Sequence, residues 1–277
     1  MKLPSQKLDV QLIAFDLDDT LLNSSLEILP ETAAALQKAA ARGIFIVLCS
    51  GRAENAILPY VRRLNIAGMQ QGRYLIALNG SIVFDLHTRL PILSKKVSGS
   101  VLAAAFAEAG KYGLPAQVYD PSTIYASRDN EWTQKDANIS RLNLKIQDNF
   151  AEFLAPGHSK MVIPAAPEKI AEFRPHLIKT LAGAADIFTS KPYFLEIVPA
   201  DSGKGAALLW LAERLGIPRE KTMAFGDGMN DESMLRRAGY GVAMCNGDDS
   251  IKEAAAFVTR KSNNDNGIAD FLESFVF

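Results

Sequence analysis

The chain has little cysteine and no long apolar run. Its two cysteines, Cys49 and Cys245, each lie in a short apolar stretch and form neither a CxxC pair nor a secreted disulfide pattern. This use of cysteine favours a reducing compartment, and we expect a cytoplasmic protein. The first residues lack the apolar region of a signal peptide, and no charge-free stretch is long enough to cross a bilayer. We therefore expect no membrane partner.

The chain also has no excess of charge of one sign. Its 30 basic and 31 acidic residues are spread along the sequence and leave a net charge of −1. Proteins that bind nucleic acid typically concentrate Lys and Arg in a patch, so we expect no nucleic-acid partner. With 277 residues, of which 48% are hydrophobic, the chain is long enough for one large or two modest domains.

Histidine is rare, and its positions favour no catalytic site. His87, His158 and His176 are isolated from one another, and no G-x-S-x-G nucleophile pattern accompanies them. We interpret them as structural or surface residues, and we interpret both cysteines as small buried hydrophobic residues.

Short apolar runs alternate with helical patterns in the first and last thirds of the chain. Strands are predicted at 12–15, 44–48, 74–78, 222–225, 241–244 and 257–259, and helices at 30–42, around 57–64 and 208–215, at 232–237 and 250–255, and from 268 onward. This alternation is the pattern of an α/β fold with a doubly wound parallel sheet.

The middle of the chain has a different pattern. It mixes helical stretches such as 101–112 with polar strand-like stretches such as 117–126 and 160–163. We interpret 83–188 as an inserted second domain, which leaves 1–82 and 189–277 as the core.

Two groups of carboxylates follow predicted buried strands. Asp16-Leu17-Asp18-Asp19-Thr20 ends the first strand, and alternation along an extended backbone lets Asp16 and Asp18 project to the same side. The segment 226–231, Gly-Asp-Gly-Met-Asn-Asp, ends a late strand in the same way. Each segment alone could simply cap the next helix. Together they offer an all-oxygen cluster that suits Mg²⁺. An EF-hand is excluded, because Thr20 and Glu232 stand at positions that the calcium loop requires for a ligand and a glycine.

Two further segments could bind an anion. Ser50-Gly51-Arg52 follows the second strand, where a hydroxyl and backbone N–H groups can hold a phosphoryl group or can serve as an ordinary N-cap. Lys204 opens a helix, where it can neutralise a phosphoryl group or remain a solvated lysine. A P-loop is excluded, because that pattern needs Gly at Val198 and Ser or Thr at Gly205.

In order along the chain, these four segments resemble the four motifs of the haloacid dehalogenase-like (HAD) superfamily: Asp16–Thr20, Ser50–Arg52, Lys204 and Gly226–Asp231. Asn79-Gly80-Ser81, the Leu195-Glu196-Ile197 run and the insert between the second and third motifs resemble the Cof-type sugar-phosphatase branch. The resemblance covers essentially the whole chain. It implies a Rossmann-like core, an inserted α/β cap that closes over the substrate, and hydrolysis of a small phosphorylated metabolite.

The resemblance also implies a role for each matching residue. Asp16 would attack phosphorus, and Asp18 would protonate the leaving oxygen and then activate water. The implied Mg²⁺ ligands are Asp16, the backbone carbonyl of Asp18, and Asp227, with Asp231 near the coordination shell. The implied phosphoryl-binding groups are Ser50, Gly51, Lys204, Asn230 and the Leu17 backbone N–H.

Two alternatives remain open at this point. A phosphomutase of the same superfamily, such as the phosphomannomutase-like proteins, has its cap at a similar place and would depend on a bisphosphorylated sugar activator. A non-catalytic sensor of sugar phosphates would be expected to lack part of the site, yet Asp16, Asp18, Lys204 and Asp227 are all present. The sequence specifies neither the substrate nor the oligomeric state.

Overall fold

The computed structural model describes residues 2–64, 72–200 and 202–277. In chain order its strands are Leu12–Asp16 (β1), Phe45–Cys49 (β2), Arg73–Ala77 (β3), Ile82–Asp85 (β4), Leu90–Ser94 (β5), Gln117–Tyr119 (β6), Thr123–Ala126 (β7), Asn143–Ile146 (β8), Met161–Pro164 (β9), Ala185–Lys191 (β10), Phe194–Pro199 (β11), Thr222–Gly226 (β12), Tyr240–Ala243 (β13) and Phe257–Val258 (β14). Its helices are Pro30–Ala41 (α1), Glu54–Leu64 (α2), Gly99–Lys111 (α3), Glu131–Ser140 (α4), Phe150–Phe153 (α5), Pro167–Leu181 (α6), Lys204–Arg214 (α7), Glu232–Arg237 (α8), Asp249–Ala254 (α9) and Gly267–Phe275 (α10).

The chain divides into two compact units. The first comprises Met1–Ser50, Ile57–Leu93 and Gly203–Phe277, and the second comprises Gly51–Ala56 and Ser94–Ser202. Residues 83–93 therefore group with the first unit and 189–202 with the second, whereas the predicted insert covers 83–188. The chain enters and leaves the second unit through segments of the first, and the division into a core and an inserted cap remains our proposal.

The first unit is built on a parallel sheet with strand order β14-β13-β12-β1-β2-β3-β4-β5 among the described residues. The neighbouring pairs from β14 to β3 are parallel, and β4 runs antiparallel to β3. The order reverses at β1, as in doubly wound folds, whose ligand sites lie beyond the carboxyl ends of the strands at that switch point. The predicted α/β fold with a doubly wound parallel sheet is confirmed.

The strand β1 lies at the centre of this sheet, between β12 and β2, and every one of its residues is buried, as expected for a parallel strand covered on both faces. Its register places Phe15 opposite Leu48 of β2 and Phe225 of β12. The rings of Phe15 and Phe225 stack with centroids 5.3 Å apart. Asp16 therefore leaves the core at the same edge as the residues that follow β2 and β12.

The second unit has a six-stranded sheet among the described residues, with strand order β10-β11-β9-β6-β7-β8. Residues of α3 and α6 pack with one face of this sheet in an apolar core that includes Leu102, Phe173, Met161 and Ile197. Some of the alternate positions carry polar side chains, such as Gln117 in β6 and Glu196 in β11. Among them is the buried ion pair between Lys160 and Glu196, whose Nζ and Oε1 atoms lie 2.9 Å apart. Within this sheet the inner strands β9 and β11 are fully buried, whereas the edge strand β8 is largely exposed.

The strand-like stretch 117–126 forms a hairpin of the antiparallel strands β6 and β7. The physical reason is the turn at Asp120, whose side-chain Oδ1 accepts hydrogen bonds from the backbone N–H groups of Ser122 and Thr123, each at 2.7 Å. Such Asx turns reverse the chain locally.

In the part of the chain that the structure describes, no helix is both long and apolar enough to cross a membrane.

Candidate active site

Three carboxylates converge at the carboxyl edge of the first unit's sheet. Asp16 ends β1, Asp227 follows β12, and Asp231 ends the turn Met229–Asp231 directly before α8. Each offers an oxygen atom, and these oxygens lie within 4.8 Å of one another. Asp16 and Asp231 are buried, and Asp227 is half-buried. The structure thus brings together three of the four predicted metal ligands.

Asp18, the fourth predicted ligand, lies in the tight turn Leu17–Leu21 and is half-buried. The turn reverses at Asp19, whose φ of 60° is left-handed. Among the described residues, the carboxylate of Asp18 does not belong to the converging group. This position agrees with a separate role for its side chain, as the resemblance implies.

Lys204 places a single positive charge between two of the acids. Its ammonium group is fully buried, forms an ion pair with Asp16, and contacts Oδ1 of Asp231 at 2.6 Å. The first turn of α7 holds it there because Gly205 packs directly against α8: a Cβ at Gly205 would overlap the backbone of Ser233. The lysine that the sequence left between two interpretations is therefore part of the site.

Hydrogen bonds from its own backbone fix the conformation of the last acidic segment, 227–231. Oδ2 of Asp231 accepts hydrogen bonds from the backbone N–H groups of Asp227 and Gly228, each at 3.1 Å. Thr20 Oγ1 donates to Asp227 Oδ1 at 2.5 Å and so connects the turn after β1 with the segment after β12. Sequence reasoning did not assign Thr20 a role. The available signal was a hydroxyl residue in the same acidic turn as Asp16.

Burial and mutual repulsion perturb the ionisation of these groups. The pKa of Asp16 is raised well above its usual value, first because of burial and then because of the Asp231 carboxylate, while Lys204 opposes the rise. Burial and Asp231 likewise raise the pKa of Asp227 to about 7. Burial lowers the pKa of Lys204, but the carboxylates of Asp16 and Asp231 outweigh it, so that this pKa is raised and the ammonium stays charged.

The charge balance indicates what the cluster can bind. Three carboxylates face one lysine, so the ionised site has an excess of negative charge that a cation would offset. All the donors are oxygens, which suits a hard divalent ion such as Mg²⁺ and excludes the thiolate and imidazole sites of softer metals. The residues present therefore fit a magnesium ion.

The predicted anion-binding residues of the first unit lie at the same edge. Ser50 is buried after β2, and its backbone N–H donates to Ile76 at 2.9 Å. Leu17 is buried directly after Asp16, and Asn230 lies half-buried between Asp227 and Asp231. The amide nitrogen of Asn230 donates to Oδ1 of Asn79 at 3.2 Å. Asn79 is a second residue to which sequence reasoning gave no chemical role, although its Asn-Gly turn was visible.

Gly51, the remaining predicted residue, groups by its contacts with the second unit. Its carbonyl accepts a hydrogen bond from Lys160 Nζ at 3.2 Å, and Lys160 also pairs with Glu196. Gly51 follows Ser50 directly in the chain. Its predicted part in phosphoryl binding remains a prediction.

Comparisons with known proteins agree with this geometry. The chain matches the family of haloacid dehalogenase-like hydrolases over residues 13–272. It is 33% identical to YxeH of Bacillus subtilis (strain 168) over 271 residues, which cover 96% of this chain and 98% of that protein. The crystal structure of a haloacid dehalogenase-like hydrolase from Bacteroides thetaiotaomicron is 30% identical, with a TM-score of 0.87 over 96% of this chain and 99% of the other.

A solved sugar phosphatase of HAD subclass IIB is 26% identical to the chain, with a TM-score of 0.83 over 96% of this chain and 98% of the other. The matches span nearly the full length of both partners and include the segments that carry the acidic cluster and Lys204. The chain therefore belongs to the haloacid dehalogenase-like hydrolases, in their Cof-type branch, and is a phosphatase of this family.

Proposed function

We propose that the protein is a Mg²⁺-dependent phosphatase that hydrolyses small phosphorylated metabolites through an aspartyl-phosphate on Asp16. The observation that carries this proposal is the convergence of Asp16, Asp227 and Asp231 around Lys204 at the sheet's switch point. A buried ammonium that contacts two acids holds Asp16 ready to act as a nucleophile, and it can also offset the charge of a phosphoryl group. We further propose a cytoplasmic location, which rests on the cysteine use.

The hydrogen bonds of these residues suggest which of them bind the metal directly and which act through water. Asp16, the backbone carbonyl of Asp18 and Asp227 are the proposed direct ligands. Both carboxylate oxygens of Asp231 are already engaged, one by Lys204 and the other by two backbone N–H groups. We therefore propose that Asp231 acts near the coordination shell through water. When bound, Mg²⁺ would bring the anionic substrate next to anionic Asp16 and withdraw charge from the phosphoryl oxygens.

The proposed chemistry has two steps. A carboxylate oxygen of Asp16 forms a bond to phosphorus as the bond to the leaving oxygen breaks, and Asp18 donates its proton to that oxygen. Asp18 then accepts a proton from water, whose oxygen attacks phosphorus and releases Asp16 and inorganic phosphate. Ser50, Gly51, Lys204, Asn230 and the Leu17 N–H would hold the phosphoryl oxygens throughout.

Sugar phosphates and similar phosphomonoesters are the proposed substrates. The support is the likeness to a solved sugar phosphatase over almost the whole chain. We propose that the predicted insert, 83–188, selects among such substrates, because all four motif segments lie outside these residues.

The test is turnover of a panel of phosphorylated metabolites by the purified protein with Mg²⁺, for the wild type and for Asp16→Asn. The amide keeps the shape of the side chain but cannot act as the nucleophile, so turnover should fall to background. Asp9→Asn is the matched control, because Asp9 is a largely exposed acid in an ion pair with Lys221 and should not affect turnover.

A second measurement tests the covalent step itself. Acid-quenched wild-type protein should carry a phosphoryl group on the peptide that contains Asp16, as detected by mass spectrometry. Turnover by Asp16→Asn within a few-fold of the wild type would refute the mechanism.

A further inference from the structure

The turn that joins β3 to β4 has an unusual backbone. Leu78, Asn79 and Gly80 have successive φ values of 49°, 55° and 97°. The left-handed region is disfavoured for residues with a Cβ, and leucine has no polar side-chain group to compensate. All three residues are buried. Strain of this kind persists where the surrounding structure requires it, and it is often found at functional sites.

The backbone of this turn contacts the Ser50 segment. The N–H of Asn79 donates to the backbone oxygen of Ser50 at 3.0 Å, one residue beyond the last paired position of β2 and β3. The left-handed conformation at Leu78 and Asn79 follows the end of β3 directly. The turn therefore holds the main chain of Ser50 where β2 opens into the site.

The same turn also contacts the start of α7. A Cβ on Gly80 would overlap the backbone of Gly203, the residue that precedes Lys204. Gly203 itself has a φ of 112°, which only glycine adopts readily. The two glycines thus allow a close backbone approach that seats the first residue of α7.

The side chain of Asn79 contacts the fourth motif. Its Oδ1 accepts a hydrogen bond from Nδ2 of Asn230 at 3.2 Å, and Asn79 is only 2% exposed. An amide nitrogen carries two hydrogens. When one of them is held by Asn79, the orientation of the Asn230 amide is set, and the second hydrogen is directed away from Asn79.

We propose that Asn79 is a positioning residue for phosphoryl binding. Its side chain orients the Asn230 amide so that an N–H, and not the carbonyl oxygen, faces the phosphoryl group. The backbone of its turn seats Ser50 and the residue before Lys204. The turn thereby contacts three separate motif segments, two of them through Asn79 and the third through Gly80. The inference rests on the proposed function, in which Asn230 holds a phosphoryl oxygen.

The test is a double-mutant cycle read by binding of inorganic phosphate in the presence of Mg²⁺, measured by calorimetry. Asn79→Gly removes the side chain but keeps a residue that adopts a positive φ freely, so the backbone contact with Ser50 should remain. We expect it to weaken phosphate binding about tenfold, as for one hydrogen bond to a charged group. We expect no additional loss when it is combined with Asn230→Ala. Asn149→Gly is the matched control, because Asn149 has a φ of 52° and lies exposed in the second unit.

The outcomes distinguish the positioning role of Asn79 from the covalent mechanism on Asp16. Losses of affinity that multiply in the double variant would show that Asn79 acts independently of Asn230. Wild-type affinity in Asn79→Gly would show that its side chain does not affect phosphate binding. Either result would overturn the positioning role. If Asn79→Gly does not fold, Asn79→Ala is judged by the same criterion. A wild type that binds phosphate and shows the cycle but forms no phosphoenzyme would refute the covalent mechanism and leave the positioning role in place. A wild type that binds no phosphate would overturn both.

Discussion

Replacement of Lys204 by methionine should destabilise the first unit strongly. The ammonium group is fully buried, and its partners are nearly so, with side-chain exposures of 8% for Asp16 and 1% for Asp231. Removal of one partner from a buried ion pair costs about 3–5 kcal/mol, because the remaining charge is buried without compensation. At about 2–4 °C per kcal/mol for a unit of this size, Tm should fall by about 6–20 °C.

The loss of stability caused by Lys204→Met should increase with pH. Burial and Asp231 already raise the pKa of Asp16, and Lys204 opposes them, so the variant should raise this pKa further. A carboxyl whose pKa is higher in the folded state than its unfolded value of about 3.9 contributes stability at pH values below the unfolded pKa. This contribution is lost as pH rises through the folded-state pKa. The loss of stability in Lys204→Met relative to the wild type should therefore grow as pH rises through the raised pKa of Asp16 in the folded wild type.

The assay is calorimetric unfolding in the presence of EDTA, so that no divalent cation replaces the lost charge. Lys221→Met is the matched control, because Lys221 pairs with Asp9 at 2.9 Å but its side chain is 35% exposed and that of Asp9 is 72% exposed. Such surface pairs contribute about 0–1 kcal/mol. Equal Tm values for the two variants at pH 8, or a loss of stability that does not change with pH, would refute the reasoning.

Three further predictions concern the metal, the packing of α7 and the insert. Chelation should abolish turnover and Mg²⁺ should restore it, because the carboxylate cluster needs a cation to accept an anionic substrate; full activity in metal-free buffer would contradict this. Gly205→Ala should lower the free energy of unfolding by about 1–3 kcal/mol, because its Cβ would overlap the Ser233 backbone. Gly110→Ala in α3 has open space and should be neutral or stabilising, so equal Tm shifts would show the reasoning to be wrong. Exchange of 83–188 with a related phosphatase should change the preferred metabolite and keep the Mg²⁺ requirement, and a specificity profile that stays with the core donor would exclude this role for the insert.

The strands of the first sheet could be located from the sequence because their signal is local. A parallel strand covered on both faces is a continuous apolar run, and an acid at its end is visible as an abrupt change. The predicted strands at 12–15 and 222–225 correspond to Leu12–Asp16 and Thr222–Gly226. The second unit was harder to predict, because the Asx turn at Asp120 interrupts a stretch that has strand composition on both sides.

The composition of residues 83–93 does not predict which of the two units they join. The strands β4 and β5 extend the first unit's sheet beyond β3, yet nothing in their own sequence shows which sheet they join. Strand pairing depends on the neighbours that the chain brings alongside, and a hairpin can add to the sheet before it or begin a new one.

The sequence by itself determined the strand that ends in Asp16, the carboxylate groups at two strand ends and the chemical type of the site. Only the tertiary structure decided which partners those groups have. Lys204 pairs with Asp16 from 188 residues away, Thr20 reaches Asp227, and Asn79 contacts Asn230. The physical reason is that strand order and register bring these segments to one edge of the sheet, and sequence spacing does not encode such long-range pairing.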